Sequence, residues 1–139
     1  MIQLIDDQLL GAVLRGSTPP RRRADVFTTG YWYVRLCQAV LASNRHSGAP
    51  SAPFSALPGP TRDRAIQVLL ELPDQIGLVS LRELAPVIGR LRNRHDLNVL
   101  GMEVLAAAVH LEADVYLSAA SPRLQDALIR ESRRAQIVG

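Results

Sequence analysis

Lysine is missing: all sixteen basic residues of this 139-residue chain are arginine, set against thirteen acids for a net charge of +3. A GC-rich coding sequence produces that bias, because lysine codons are AT-rich, so it is not by itself an adaptation to nucleic acid. Arginine binds phosphate well, and the balance permits an RNA or DNA partner without requiring one. Cysteine is nearly missing too. Cys37 stands alone, which excludes an intrachain disulfide. Its place in an apolar helical run reads as a small buried hydrophobe rather than a reactive thiol. No apolar run reaches the roughly 18 residues of a membrane span, and Asp6 and Asp7 interrupt the N-terminus where a signal peptide would be apolar. The expectation is a cytoplasmic protein with no membrane contact. There is no glycine-rich phosphate loop, no CxxC pair and no Gly-x-Ser-x-Gly elbow. His46, His95 and His110 have no metal-ligand spacing; His110, in an apolar helix, reads as a satisfied interior or interface residue.

What is present suits a globular domain: 47% hydrophobic and 21% charged residues, with a length that supports one core and a single domain over 1–139. "IQLI", "DVFTT", "IGLVSL", "DVYLSAA" and the final "QIV" read as short strands. Between them lie helical patterns: "DDQLLGAVLRG", "GYWYVRLCQAVLASN", "TRDRAIQVLLELP" with Thr61 as N-cap, "RELAPVIGRLRNRH" with Pro86 starting or kinking it, "DLNVLGMEVLAAAVHLEA", and "SPRLQDALIRESRRA" with Ser121 as N-cap and Pro122 at its first position. Residues 45–60 hold four of the nine prolines and form a long Pro/Ser/Ala-rich loop, a candidate lid or partner surface. Alternating strands and helices predict an α/β protein, a three-layer α/β/α sandwich with a mainly parallel sheet.

That order of elements, with "IDDQLLGAVLRG" delivering an acid at the tip of the first strand and "LGMEVLAAAVHLEADVYLSAASPRLQDAL" closing the chain, resembles the PIN domain, the fold of many toxin–antitoxin ribonucleases. The resemblance implies acidic side chains converging at the C-terminal edge of the sheet. Such a cluster holds Mg²⁺ or Mn²⁺, which prefer oxygen ligands, and the ions activate water for attack on a phosphodiester. Carried over position by position, the first acid is Asp6, with Asp7 beside it capping the helix or lining the pocket rim. The second falls on Arg35, the third on Gly101 and the fourth on Ala120 or a neighbour, with no acid near. Glu103 lies roughly 200° around the helix from Gly101 and is expected to face elsewhere. Asp114 starts its strand and belongs to the opposite edge. Only Asp6 remains, and the expectation is that Arg35 pairs with it in the space a metal would fill.

The resemblance therefore implies a degenerate, PIN-like pseudoenzyme that takes no cofactor and binds a protein partner or RNA. The alternative is a divergent Mg- or Mn-dependent endoribonuclease using Asp6 as catalytic and metal-binding acid, with Asp7 or Glu103. Candidate binding residues are Arg21, Arg22 and Arg23 in a loop, Arg35, and the pair Arg90 and Arg94, spaced to share a helix face. The run Arg21, Arg22 and Arg23 reads first as a solvated loop, and as a phosphate or acidic-partner contact second. "YWYVRL" gathers three of the six aromatics; base stacking is one use for it, core and edge packing the other. The apolar girth of "YVRLCQAVLA" and "LNVLGMEVLAAAVHL" points to self-association, and the resemblance implies a dimer.

Overall fold

The computed structural model describes residues 1–41, 57 and 59–138. The loop expected over 45–60, and His46, lie mostly or wholly outside the described residues. Five short strands form one sheet: β1 (Ile2–Ile5), β2 (Asp25–Thr28), β3 (Ile76–Leu78), β4 (Asp114–Leu117) and β5 (Ala135–Ile137). They are all parallel, in the order β3-β2-β1-β4-β5. Six helices are described: α1 (Asp7–Leu14), α2 (Gly30–Leu41), α3 (Gly59–Leu70), α4 (Leu81–Leu91), α5 (Val99–Leu111) and α6 (Pro122–Arg130). The predicted α/β class with a parallel central sheet is the observed one. None of the helices among the described residues is long and apolar enough to cross a membrane.

Strand alternation sorts the core into two halves. Leu4, Val115 and Leu117 point to one face and pack with α4, α5 and α6. Ile5, Tyr116 and Ile76 point to the other and pack with α1, α2 and α3. A parallel sheet covered on both faces explains why consecutive strand residues such as Leu4 and Ile5, or Val115 and Tyr116, are both apolar and buried. Position α5 is the innermost helix: Gly101 through Ala108 are all buried within the one chain. Its apolar girth, read in sequence as a hint of self-association, is thus absorbed by α4, α6, α2 and the sheet. On the edge strand β3, Gly77 is opposite Phe27. A Cβ there would come within 2.3 Å of the Phe27 ring, so the glycine lets an aromatic lie across the strand.

Three local expectations differ from the structure. Thr61 is not an N-cap, because α3 begins two residues earlier, at Gly59. Ser121 occupies the N-cap position of α6 but makes no capping hydrogen bond, although Pro122 does take the first turn. Arg94 does not share a helix face with Arg90, since α4 ends at Leu91.

The chain goes outward from β1 to β2 and β3, then returns across β1 to β4 and β5. The connections reverse direction between β1 and β4, and in open parallel sheets ligands bind beyond the C-terminal ends of the strands at such a switch point. Asp6, after β1, and Ser118, after β4, stand there.

Candidate functional site at the switch point

Asp6 ends β1 in extended geometry, φ −80° and ψ −178°, and caps α1: Leu9 N–H donates to its Oδ1 at 3.0 Å. Its other oxygen accepts from Ser118 N–H at 2.7 Å and from Ser118 Oγ at 2.6 Å. Both oxygens are therefore committed, and they stitch β1 to β4 across the switch point. Of the two roles expected of Asp7, lining the pocket is the observed one and the helix cap belongs to Asp6. Asp6 is the cap, and Asp7, the first helical residue, is the one that meets Arg35.

Arg35 Nε lies 3.6 Å from Asp7 Oδ2, which corrects the expected pairing with Asp6. The reason is geometric: the extended backbone at Asp6 turns its carboxylate back over its own helix and toward β4, while Asp7 projects toward α2. The contact is an ion pair beyond hydrogen-bonding distance. Asp7 Oδ2 is buried with no hydrogen-bond partner among the described residues, and Oδ1 accepts from Gln8 N–H at 2.9 Å. Burial pushes the Asp7 carboxyl pKa up; the Arg35 charge pulls it down, and the Asp6 charge pushes it up again.

Glu103 is fully buried. It has a role the sequence did not disclose. Its Oε2 accepts from Gly30 N–H at 3.2 Å and its Oε1 from Tyr31 N–H at 3.0 Å. Thr29 Oγ1 accepts from Trp32 N–H at 3.2 Å. The first three N–H groups of α2 are thereby satisfied, and a negative charge sits at the positive end of the helix that carries Arg35.

The positions where the resemblance expects acids do converge. Arg35, Gly101 and Ala120 line a single groove of about 480 Å³. Asp6 and Asp7 line an adjoining cavity of about 190 Å³, and the two share Arg35, Leu100, Ser121 and Leu124. At Gly101 a Cβ would lie 3.1 Å from Asn98 Oδ1 and from Leu97 Cβ. Asn98 caps α5 by accepting from Gly101 N–H at 2.8 Å, so the cap occupies the space an acid would need. Among the described residues no three His, Cys, Asp or Glu side chains are grouped to hold a metal ion.

The other candidate residues scatter. Arg21, Arg22 and Arg23 are exposed at the opposite, N-terminal edge of the sheet. Buried Gln3 holds their loop, donating to Arg21 C=O at 2.6 Å and Ala24 C=O at 3.0 Å and accepting from Arg21 N–H at 3.0 Å. Arg90 is exposed on α4. Arg94 grips Glu131 through Nε and Nη2, at 2.8 and 2.9 Å. Buried His95 donates from Nε2 to the same carboxylate at 2.6 Å. These contacts, the one to Arg94 foremost, hold the Glu131 pKa down to about 2. They clamp the α4–α5 connection to the C-terminal end of α6, while Arg123 near its N-terminal end donates to Asp96 C=O at 2.6 Å. The connection thus runs back along α6 and sets the start of α5 beside the start of α6. Spacing alone gave no signal for this clamp, whose partners are 36 or 37 residues apart.

His110 is exposed rather than interior, 3.5 Å from Glu83 of α4. Cys37 is half-buried and burial pushes its thiol pKa up, as a packing role requires. Of the aromatics, Trp32 is core and Tyr33 donates its hydroxyl to Leu69 C=O at 2.6 Å. Compared with models of known protein families and with curated proteins, the chain matches none.

Proposed function

We propose that the chain is a cytoplasmic PIN-like domain whose acidic centre has become a binding groove, and that it acts by holding RNA rather than cutting it. One observation carries this reading: Arg35, Gly101 and Ala120, assigned from sequence to the lost acids, line one groove beside Asp6. Their convergence supports the reading, because the resemblance expects its acids together at the C-terminal edge of the sheet. The surviving acids are also spent on internal work. Asp6 accepts three hydrogen bonds, Glu103 two, and Asp7 faces Arg35. A divalent cation would have to compete with these contacts for oxygens.

Arg35 is the one residue of the predicted basic set that stands at the groove. Arg21, Arg22, Arg23 and Arg90 are separate candidate contacts for RNA or a protein partner. A second copy of the chain belongs to the same reading: Tyr31, Val34 and Leu41 are exposed at helical spacing along α2. The test is incubation of the protein with single-stranded RNA in Mn²⁺ and, separately, in chelator. Binding that survives chelation, without cleavage, is the expected result. Mn²⁺-dependent cleavage abolished by Asp6→Ala, in protein shown to be folded, would establish the toxin-type ribonuclease with Mg or Mn instead.

A further inference from the structure

We infer that the groove between the starts of α5 and α6 is a phosphate-binding site whose occupant is a backbone diester of single-stranded RNA. The inference rests on the RNA-binding reading above and assigns it a place. Among the described residues, the charged ones lining the groove are Arg35 and Arg123, and none is a carboxylate. Asn98 and Ser121 add neutral polar groups; Leu97, Leu100 and Leu124 supply an apolar wall against which a ribose or base can pack.

The two guanidiniums retain capacity for a ligand. Arg35 Nε lies 3.6 Å from Asp7 Oδ2, and the Arg35 side chain is 55% exposed. Arg123 spends one Nη2 bond on Asp96 C=O, lies 3.8 Å from the exposed Asp96 carboxylate, and is 76% exposed. A guanidinium carries five N–H donors in a planar fork suited to phosphate oxygens, and among the described residues most of these donors have no hydrogen-bond partner on either arginine. The helix ends add to this. The Ser121 side chain leaves the first turn of α6 uncapped, and α5 begins across the groove from it.

The adjoining cavity points to a nucleotide rather than a bare anion. Asp7 is nine-tenths buried, lines that cavity and has an unpartnered Oδ2 beneath Arg35. A guanidinium drawn onto a phosphate uncovers that oxygen, and ribose hydroxyls or base amino groups beside the phosphate are the donors it lacks. Phosphate at the arginines and a donor at Asp7 are the two halves of one nucleotide.

The test measures fluorescence anisotropy of a labelled oligouridylate of roughly 12 nucleotides from about 50 to 200 mM salt. Wild type is compared with Arg35→Ala, Arg123→Ala and, on the outer face of α3, Arg62→Ala, with thermal melts confirming folding. A poly-glutamate peptide of equal length is the second probe, and inorganic phosphate, followed by amide chemical shifts, the third. Expected are RNA binding tighter than peptide binding and losses of about tenfold for each groove variant. The salt slope should fall by about 0.7 per lost phosphate contact, with Arg62→Ala unchanged. If wild type binds RNA and both groove variants bind equally well, the site is wrong and the RNA reading stands. If wild type binds no RNA but phosphate shifts the amides of Leu100, Gly101 and Leu124, the RNA reading fails and an anion site remains. No response to either ligand sinks both, and equal affinity for poly-glutamate overturns RNA as the occupant.

Discussion

Asp6 carries more structure than any other polar side chain at the switch point. Replacing it removes the α1 cap, worth about 1 kcal/mol, and leaves the Ser118 N–H and hydroxyl without their acceptor. Each buried group left unpaired costs about 1 to 3 kcal/mol. Asp6→Ala should therefore destabilise the fold by about 3 kcal/mol, read as a shift in the urea midpoint, and Asp6→Asn by less because one acceptor oxygen remains. An unchanged midpoint for Asp6→Ala would remove the stitching role. The same number warns against reading lost activity in this variant as loss of a metal ligand, since a partly unfolded protein would give the same result.

Among the elements, α2 depends on a residue from another helix. Glu103 reaches from α5 to the first two N–H groups of α2, so Glu103→Ala leaves two donors unsatisfied and should cost about 3 kcal/mol. Glu103→Gln keeps one acceptor oxygen and should restore part of that. If the Ala and Gln variants melt together, the cap is not what holds the helix. Element order was legible in sequence because each strand is a short apolar run bounded by turn residues and each helix keeps its apolar phase. The partner of Glu103 was not legible: naming it required knowing that Gly30 lies against α5, 73 residues away. A lone acid inside an otherwise apolar helix is the usable signal, because a buried charge must find donors. The Arg35 pairing missed by one residue for a related reason. Sequence placed both acids at the strand tip, but only the extended backbone of Asp6 decides which carboxylate turns toward β4 and which toward α2. The Arg94 and His95 clamp was not legible at all, since its partner lies beyond α6 and shares no local pattern with it.

At the scale of the whole molecule, two carboxylates impose opposite pH dependences on stability. Glu131 has its pKa lowered from 4.5 to about 2 in the folded chain. Its contribution is present above the unfolded value and is lost as pH falls toward 2, so stability rises with pH across that window. Asp7 is the reverse case. Its folded pKa is raised above 3.8, so over the window from 3.8 up to the raised value the folded state holds a proton the unfolded state has released, and stability falls as pH increases. Stability should then peak in mildly acidic solution and settle lower near neutrality. Two variants separate the limbs when unfolding free energy is measured by urea titration across the range. Glu131→Gln should flatten the acid limb and, at neutral pH, lower stability by weakening charge-assisted hydrogen bonds. Arg35→Gln removes the cation that restrains the Asp7 shift, so the decline should continue to higher pH than in wild type while the acid limb stays as it was. If Arg35→Gln leaves the descending limb where it is, Arg35 does not govern the ionisation of Asp7. The groove would then lose the coupling by which a phosphate, taking Arg35 away from Asp7, also raises the affinity of that carboxyl for a proton.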